Sequence, residues 1–260
     1  MPENMFSVIR KLLWKDKRPT IEDPVDMELP AHIIKDYEGL LYTSIPYYSS
    51  LTEEEKDKFL KRLNRFHQSK NFYFIGMPEV KEASVLISAV AIQITFGLKK
   101  FMLSFFRDIY ITPGAYQLQG AREPYIGHVS PKGIYISWKH FEEGFSISDD
   151  RINVAYHELA HALHHENFAH EKGIDWDFRE DFAKVSHIFG PSVALAIKER
   201  ESYLRGYAFT DFYEFWAVSV ESFFEDPNGL LKNMPHLYKI ISETLNQDPL
   251  LSPKALAPNH

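Results

Sequence analysis

The chain has 260 residues, of which 45% are hydrophobic and 15% aromatic, so it can build one large packed domain or two small ones. A net charge of −7 argues against the basic surface that nucleic-acid binding requires, and no nucleic-acid partner is expected. The absence of cysteine excludes disulfides and thiolate metal sites, which leaves histidines and carboxylates as the ligands of any zinc ion. It also suits a reducing compartment, and the cytoplasm is the expected location.

Residues 1–35 are predicted to form an arm laid over the domain surface. The apolar run at 5–14 is interrupted by Arg10 and Lys11 and no small-residue cleavage site follows it, so a secretory signal is not indicated. This run could form a short amphipathic helix that touches a membrane, although docking on its own domain is more usual. The most apolar segment, 83–98, is too short and too polar to span a bilayer, so stable membrane insertion is not expected.

Residues 36–148 are predicted to form the N-terminal half of a single domain, with a small mixed sheet. Thr52 and Glu55 have the spacing of a capping box, which begins a helix that runs to about His67. Aromatic and β-branched residues bounded by turn signals predict strands at 71–75, 108–112 and 133–138. Helices are predicted at 79–97 and 99–106, and a loop or hairpin at 117–132.

Residues 149–250 are predicted to form the mainly helical second half of this α+β domain, and residues 251–260 a tail. A helix at 149–166, capped by Ser148 or Asp150, carries the most informative stretch of the chain. The Gly190–Pro191 pair predicts a break between two of the helices that follow, which are placed at 177–188, 191–205, 210–226 and 235–246.

His157, Glu158 and His161 form a His-Glu-x-x-His pattern within the first of these helices. Positions four apart lie on the same face of a helix, roughly 6 Å apart along its axis, so both imidazoles can converge on one metal ion. Glu158 lies about 100° further round the helix, where it is poorly placed as a third ligand but can take a proton from water. The spacing therefore predicts a zinc hydrolase site with a base and two of its ligands.

A catalytic zinc ion needs a third protein ligand. His164 and His165 continue along the same helix and move away from the ion, so neither is favoured. The alternative is a carboxylate from a later helix, either Glu180 or Glu214. Glu214 is favoured because it lies on an otherwise apolar helix, where a carboxylate needs a partner, whereas Glu180 belongs to a mixed-charge run typical of a solvated face. Glu221 shares the face of Glu214, and it and Glu180 are candidates for binding a substrate amine.

Six segments of the chain carry a family resemblance: Leu51–Glu55, Asp108–Tyr116, Gly133–Trp138, His157–His161, Tyr207–Val218 and Gln247–Leu250. The metal helix alone is a common pattern. The Tyr-Ala-x-Thr-Asp-x-x-Glu-Phe block, at this distance behind it, is much more specific. Through these segments, and from about residue 45 onward, the chain resembles the Mlc titration factor A family of zinc-dependent peptidases.

The resemblance implies a zincin-like fold with one Zn²⁺ ion per chain, held in the gluzincin manner by His157, His161 and Glu214. The catalytic domain of anthrax lethal factor is similar, with a tyrosine seven residues before its ligand glutamate, and Tyr207 occupies that place here. A phenol there could donate a hydrogen bond to the oxyanion of the tetrahedral intermediate, and the alternative is a buried tyrosine packed below the zinc. Relatives commonly carry aspartate three residues after the second histidine, where this chain has His164. If that aspartate orients a ligand, the support of the site differs here.

The expected activity is peptide hydrolysis by a zinc metallopeptidase, with aminopeptidase action as the form that the family suggests. Glu158 would be the general base, and the strand at 133–138 could be an edge strand that pairs with an extended peptide, or else an ordinary sheet strand. Relatives in enteric bacteria resemble a regulatory binder that sequesters a glucose repressor. The second hypothesis is therefore a protein that binds a transcriptional regulator and has weak or latent peptidase activity. The third is a folded relative without bound metal.

Overall fold

A computed structural model of the chain describes residues 20, 22–25, 28–118, 120, 123–146, 152–169, 173–196 and 203–251, with the backbone alone for 192–196. Within these residues it contains four strands, ten α-helices and a 3₁₀ turn. The N-terminal half consists of α1 (Ala31–Ser44), α2 (Pro46–Ser50), α3 (Glu53–Ser69), β1 (Asn71–Phe74), α4 (Lys81–Thr95), β2 (Asp108–Thr112), β3 (Gly127–Ser130), β4 (Gly133–Ser137) and α5 (Trp138–Ser146).

The C-terminal half is helical throughout its described residues. It consists of α6 (Val154–Phe168), α7 (Trp176–Ala196), the 3₁₀ turn (Gly206–Phe209), α8 (Phe212–Glu225), α9 (Pro227–Asn233) and α10 (Pro235–Leu245). The predicted α+β class, with a small mixed sheet followed by a helical half, is therefore confirmed. None of the described helices is both long enough and apolar enough to cross a membrane.

The sheet has the strand order β1-β2-β4-β3. Strands β1, β2 and β4 are parallel, and β3 is antiparallel to β4. The predicted edge strand, β4, therefore lies inside the sheet, and β3 is the edge strand on that side. The sequence pattern shows β4 clearly because its isoleucines alternate, whereas β3 is only four residues long and reads Gly-His-Val-Ser within the segment predicted as a loop or hairpin.

The two faces of the sheet have different side chains. Isoleucines of β2 and β4 are fully buried on the face that packs against the helices. On the other face four rings form one row across the sheet, because they occupy paired positions of neighbouring strands: Tyr73, Tyr110, Tyr135 and His128. Their centroids are 5.1, 4.4 and 4.1 Å apart in that order. Such cross-strand pairs fix the register of short strands.

Two predicted features of the first half have different outcomes. The capping box at Thr52 is present, since the Thr52 hydroxyl accepts from Glu55 N and the Glu55 carboxylate accepts from Thr52 N. The predicted helix at 99–106 is not formed. Its backbone N–H groups donate to carboxylates from distant parts of the chain instead, namely those of Asp23, Asp175 and Glu166. Tertiary hydrogen bonds thus replace the local ones of a helix.

The helix that carries the His-Glu-x-x-His pattern begins later than predicted, at Val154, with Asn153 as its N-cap. The predicted caps at 148 and 150 lie outside the described residues. The predicted break at Gly190–Pro191 does not occur, because α7 passes through Pro191. A proline removes one backbone hydrogen bond from a helix and can kink it without ending it.

The described part of the predicted arm is attached to the domain. The Glu22 carboxylate accepts a hydrogen bond from the buried Arg62 guanidinium at 2.7 Å, and Asp23 accepts from the N–H groups of Phe101 and Met102. Residues 31–35 already belong to α1. The apolar run at 5–14 lies outside the described residues. The division of the chain into arm, domain and tail stays a prediction.

Candidate metal centre

The site lies between α6 and α8, and each helix is capped so that its first turn is well defined. The Asn153 side chain accepts from two N–H groups at the start of α6, and the Asp211 side chain accepts from Tyr213 N and Glu214 N at the start of α8. In the buried contact between the helices, Trp216 Nε1 donates to Ala160 O at 3.1 Å. The two caps and the hydrogen bond between Trp216 and Ala160 together fix the rotation of each helix about its axis.

Three predicted ligands meet in this contact: His157, His161 and Glu214. His157 Nε2 lies 3.1 Å from His161 Nε2 and 3.1 Å from Glu214 Oε2, and His161 Nε2 lies 3.4 Å from Glu214 Oε1. Across the part of the chain that the structure describes, this is the one group of three histidine or acidic side chains whose ligand atoms all lie within 4.8 Å of one another. The sequence alternative, Glu180, does not belong to it.

The donor atoms are arranged for a cation. His157 Nδ1 donates to a carboxylate oxygen of Glu221 at 2.7 Å, so the neutral ring carries its lone pair on Nε2, which faces the other two ligand atoms. Glu214 Oε2 is buried, and the nitrogen 3.1 Å from it, His157 Nε2, has no proton to donate in this neutral tautomer. Lone pairs that face one another at these distances repel unless a positive charge lies between them. Two imidazole nitrogens and one carboxylate are a ligand set of catalytic zinc, so the residues fit this metal.

The protonation equilibria of the ligands show the same need for positive charge. Burial lowers the pKa of His157, but its hydrogen bonds with Glu214 and Glu221 outweigh burial and raise the pKa to about 10. Burial raises the pKa of Glu214, but its hydrogen bonds with His157 and His161 lower the pKa to about 2. Without a metal, a proton on His157 supplies the positive charge that the neighbouring carboxylates require.

Glu221 lies behind His157, on the side of the ring that faces away from the other two predicted ligands. Its side chain is buried, one oxygen accepts the hydrogen bond from His157, and the other accepts from Arg205 Nη2. Both oxygens are therefore engaged beneath the ligand, which contradicts the suggestion that Glu221 could bind a substrate amine. The sequence correctly placed Glu221 on the same helix face as Glu214, but it did not predict the role of Arg205. The one sequence signal for Arg205 is that it is a basic residue two positions before Tyr207.

Glu158 lies beside the three ligands and is nearly fully buried, at 5% exposure. Burial raises its pKa, His157 lowers it, and Glu214 and Glu221 raise it further, to a value of about 8. Gly127, the first residue of β3, lies against this side chain, so that a Cβ atom built there would be 2.6 Å from Glu158 Cγ. The edge strand and the predicted base are thus in direct contact.

Tyr207 lies at the mouth of the site. Its ring centroid is 5.9 Å from that of His157, and its side chain is 54% exposed. The alternative of a buried tyrosine packed below the ligands therefore does not apply. Partial burial, Glu214 and Glu158 raise the pKa of Tyr207 to about 12, so the phenol keeps its proton at neutral pH and can donate a hydrogen bond.

His164 and His165 are not part of the ligand group. The His164 ring stacks on Phe168 with centroids 4.7 Å apart and packs against Phe182 and Tyr213. Burial, and then the charges of His161 and His165, lower the pKa of His164 to about 4, so the ring is neutral. His165 packs against Phe105 and Phe106. Both rings serve packing on α6.

The fold and the site thus define a metallopeptidase-like protein, with a His-Glu-x-x-His helix and a glutamate from a second helix. The chain belongs to the family described as glucose-regulated metallo-peptidase M90, whose model matches residues 26–245.

Several relatives cover most of the chain. An uncharacterized protein of Synechocystis sp. is 24% identical in an alignment 260 residues long, which covers 92% of this chain and 90% of that protein. Mlc titration factor A of Cronobacter sakazakii is 24% identical over 229 residues, which cover 80% of this chain and 85% of that protein. Mlc titration factor A of Escherichia coli strain 55989 is 23% identical over 228 residues, with 80% and 84% covered.

Proposed function

We propose that the protein is a zinc-dependent metallopeptidase that hydrolyses peptide bonds. The observation that carries this proposal is the convergence of two imidazole nitrogens and a carboxylate within 4.8 Å of one another, beside the buried side chain of a second acid, Glu158. His157, His161 and Glu214 would hold one Zn²⁺ ion. When bound, zinc polarises the scissile carbonyl and lowers the pKa of a water molecule toward neutrality.

Glu158 is the proposed general base. A carboxylate with a pKa near neutrality can accept a proton from the attacking water and donate it to the leaving amine. Its burial keeps bulk water from competing for that proton. The contact with Gly127 holds the carboxylate beside the edge strand, where the scissile bond of a bound peptide would lie.

Tyr207 is the proposed oxyanion donor. It keeps its proton at neutral pH and lies beside the ring of His157, on the exposed side of the site. A phenol in this place can donate a hydrogen bond to the oxygen that becomes negative in the tetrahedral intermediate.

The proposed peptide-binding strand is β3. The sequence had suggested β4, but β4 lies inside the sheet. Within the described chain β3 is the edge strand, which pairs with β4 on one side, and its first residue, Gly127, lies against Glu158 of the metal helix. An extended peptide could add to this edge through its main chain. Aminopeptidase action stays part of the proposal, with a free amino terminus as the group to be recognised. Reporter peptides with free and acetylated amino termini decide between aminopeptidase and endopeptidase action.

Zinc analysis and peptide cleavage test the proposal. The purified protein should contain about one equivalent of zinc and cleave a peptide reporter. Glu158→Gln keeps the shape of the side chain but removes the base, and should bind zinc while losing activity by about 100-fold or more. Equal activity in wild type and Glu158→Gln would remove Glu158 from the mechanism. A protein that binds no zinc when zinc is supplied would refute the proposed metallopeptidase.

A second function is favoured by the relatives named Mlc titration factor A. The protein could bind a transcriptional regulator of that kind, with peptidase activity secondary. We propose a cytoplasmic location for this role, because a transcriptional repressor acts where the DNA is. A regulator captured equally by wild type and by His157→Ala, which lacks one ligand, supports binding independent of the metal site. Loss of capture in His157→Ala would tie the regulator to that site.

A further inference from the structure

We propose that Arg205 is a positioning residue, which holds the metal ligand His157 through Glu221 and sets Tyr207 beside that ligand. The inference deepens the proposed function and rests on it. Neither Arg205 nor Glu221 belongs to the predicted ligands, base or oxyanion donor.

The first step is the carboxylate beneath the ligand. Glu221 is buried, and its carboxylate accepts a hydrogen bond from Nδ1–H of His157 at 2.7 Å. A carboxylate in this place fixes the tautomer of the ring, because Nδ1 must donate and Nε2 must then carry the lone pair. The same hydrogen bond also fixes the orientation of the His157 ring. The orientation of His157 therefore depends on where Glu221 is held.

The second step is the guanidinium that holds this carboxylate. Arg205 Nη2 donates to Glu221 Oε2, the oxygen that His157 does not use. The Arg205 side chain is 28% exposed, whereas that of Glu221 is 2% exposed, so the cation reaches inward from the rim of the site. A buried carboxylate that loses a cation paired with it is strongly destabilised or moves toward water. Arg205 therefore holds Glu221 in position.

The third step is the chain that leads from Arg205 to Tyr207. Arg205 is the N-cap of the 3₁₀ turn, and its carbonyl accepts from Ala208 N at 2.9 Å. Tyr207 lies in that turn, with its carbonyl accepting from Thr210 N at 3.1 Å. The side chain of Arg205 is thus anchored under His157, while its backbone opens the turn that places the Tyr207 ring 5.9 Å from the same histidine. One residue links the ligand and the oxyanion donor.

The first measurement is zinc affinity, by competition with a chromogenic chelator, on the full chain. Arg205→Ala and Glu221→Gln should each weaken zinc binding by about 10- to 100-fold, the usual effect of losing support behind a metal-binding histidine. The double variant should be no weaker than Glu221→Gln alone, because Arg205 acts on the ligand through Glu221. Lys184→Ala is the matched control, since it removes an exposed cation that pairs with Asp181 on its own helix and should leave zinc affinity unchanged.

The second measurement is kcat with zinc in excess, which removes the effect of affinity. Tyr207→Phe should lower kcat by about tenfold or more in the wild-type background and by clearly less when Arg205 is already alanine. Arg205→Lys should recover part of both losses, because it restores the charge but not the two-donor geometry of a guanidinium. If Arg205→Ala fails to fold, Arg205→Lys is compared directly with the wild type and should still bind zinc more weakly.

Each outcome decides the inference. Zinc affinities of Arg205→Ala and Glu221→Gln within twofold of wild type, in folded proteins, would overturn it. Equal losses in melting temperature without a change in zinc affinity would show an ion pair that acts only in stability. Additive effects on zinc binding would also refute the link through Glu221. If the wild type binds zinc but cleaves no peptide, the proposed function fails, whereas the effect of Arg205 on His157 is still read from zinc affinity.

Discussion

The contact between Gly127 and Glu158 makes a sharp prediction for Gly127→Ala. The new Cβ would lie 2.6 Å from Glu158 Cγ and 2.7 Å from Oε1. Carbon atoms in contact are normally about 3.5 to 4.0 Å apart, so one of the two must move by roughly 1 Å. The side chain of Glu158 is the easier group to move, because the Gly127 backbone is held in the sheet by β4. A base displaced by about 1 Å costs on the order of 100-fold in kcat, or about 2.7 kcal/mol in the barrier.

The assay is peptide cleavage by Gly127→Ala, together with zinc affinity and thermal unfolding. Zinc affinity should stay close to that of the wild type, since none of the three ligand atoms is touched, and overpacking should cost about 1 to 3 kcal/mol of stability. Gly114→Ala is the matched control, because a Cβ there meets no atom within 4 Å. A folded Gly127→Ala protein with kcat within threefold of wild type would refute the role of this contact.

Three further predictions concern the ligand, the neutral histidine and the cap of α6. Glu214→Gln should lose about 100-fold or more in zinc affinity, measured by chelator competition, because the charge of the third ligand is removed; an unchanged affinity would exclude Glu214 as a ligand. The pKa of His164 is about 4 in the folded protein, below its unfolded value of about 6.5, so stability should fall as the pH drops from about 6.5 to 4, by at most about 3 kcal/mol. The free energy of unfolding of His164→Phe, followed by urea titration against pH, should lack this component, and an identical pH profile would contradict a neutral buried ring. Asn153→Ala should lower the free energy of unfolding by about 1 to 2 kcal/mol, since it removes the acceptor of two N–H groups on α6, and a calorimetric loss under about 0.3 kcal/mol would contradict this role.

The local part of the site could be predicted from the sequence. His157 and His161 face the same way because they are four apart on a helix, and helix geometry does not depend on the rest of the chain. The Thr52 capping box and the buried helix α4 were predictable for the same reason, since both depend on residues within a few positions of one another. Glu214 required a weaker argument, that a carboxylate on an apolar helix needs a partner.

Only the tertiary structure decided the interactions between segments far apart in the chain. It placed Glu221 between His157 and Arg205, where spacing along α8 had suggested a different role. It placed β4, the predicted edge strand, inside the sheet and β3, from the segment predicted as a loop or hairpin, at the edge, because strand order depends on which edges pair and not on the order of strands in the sequence.

The sequence by itself determined the helix that carries His157, Glu158 and His161 and the shared face of its two histidines, through interactions that span one turn of a helix. The segment at 99–106 shows where that reasoning ends. Its composition allows a helix, but carboxylates from residues as distant as Asp23 and Asp175 accept its N–H groups. Such partners exist only after the chain has folded, so the tertiary structure decided this loop, the support of the ligands and the edge strand beside them.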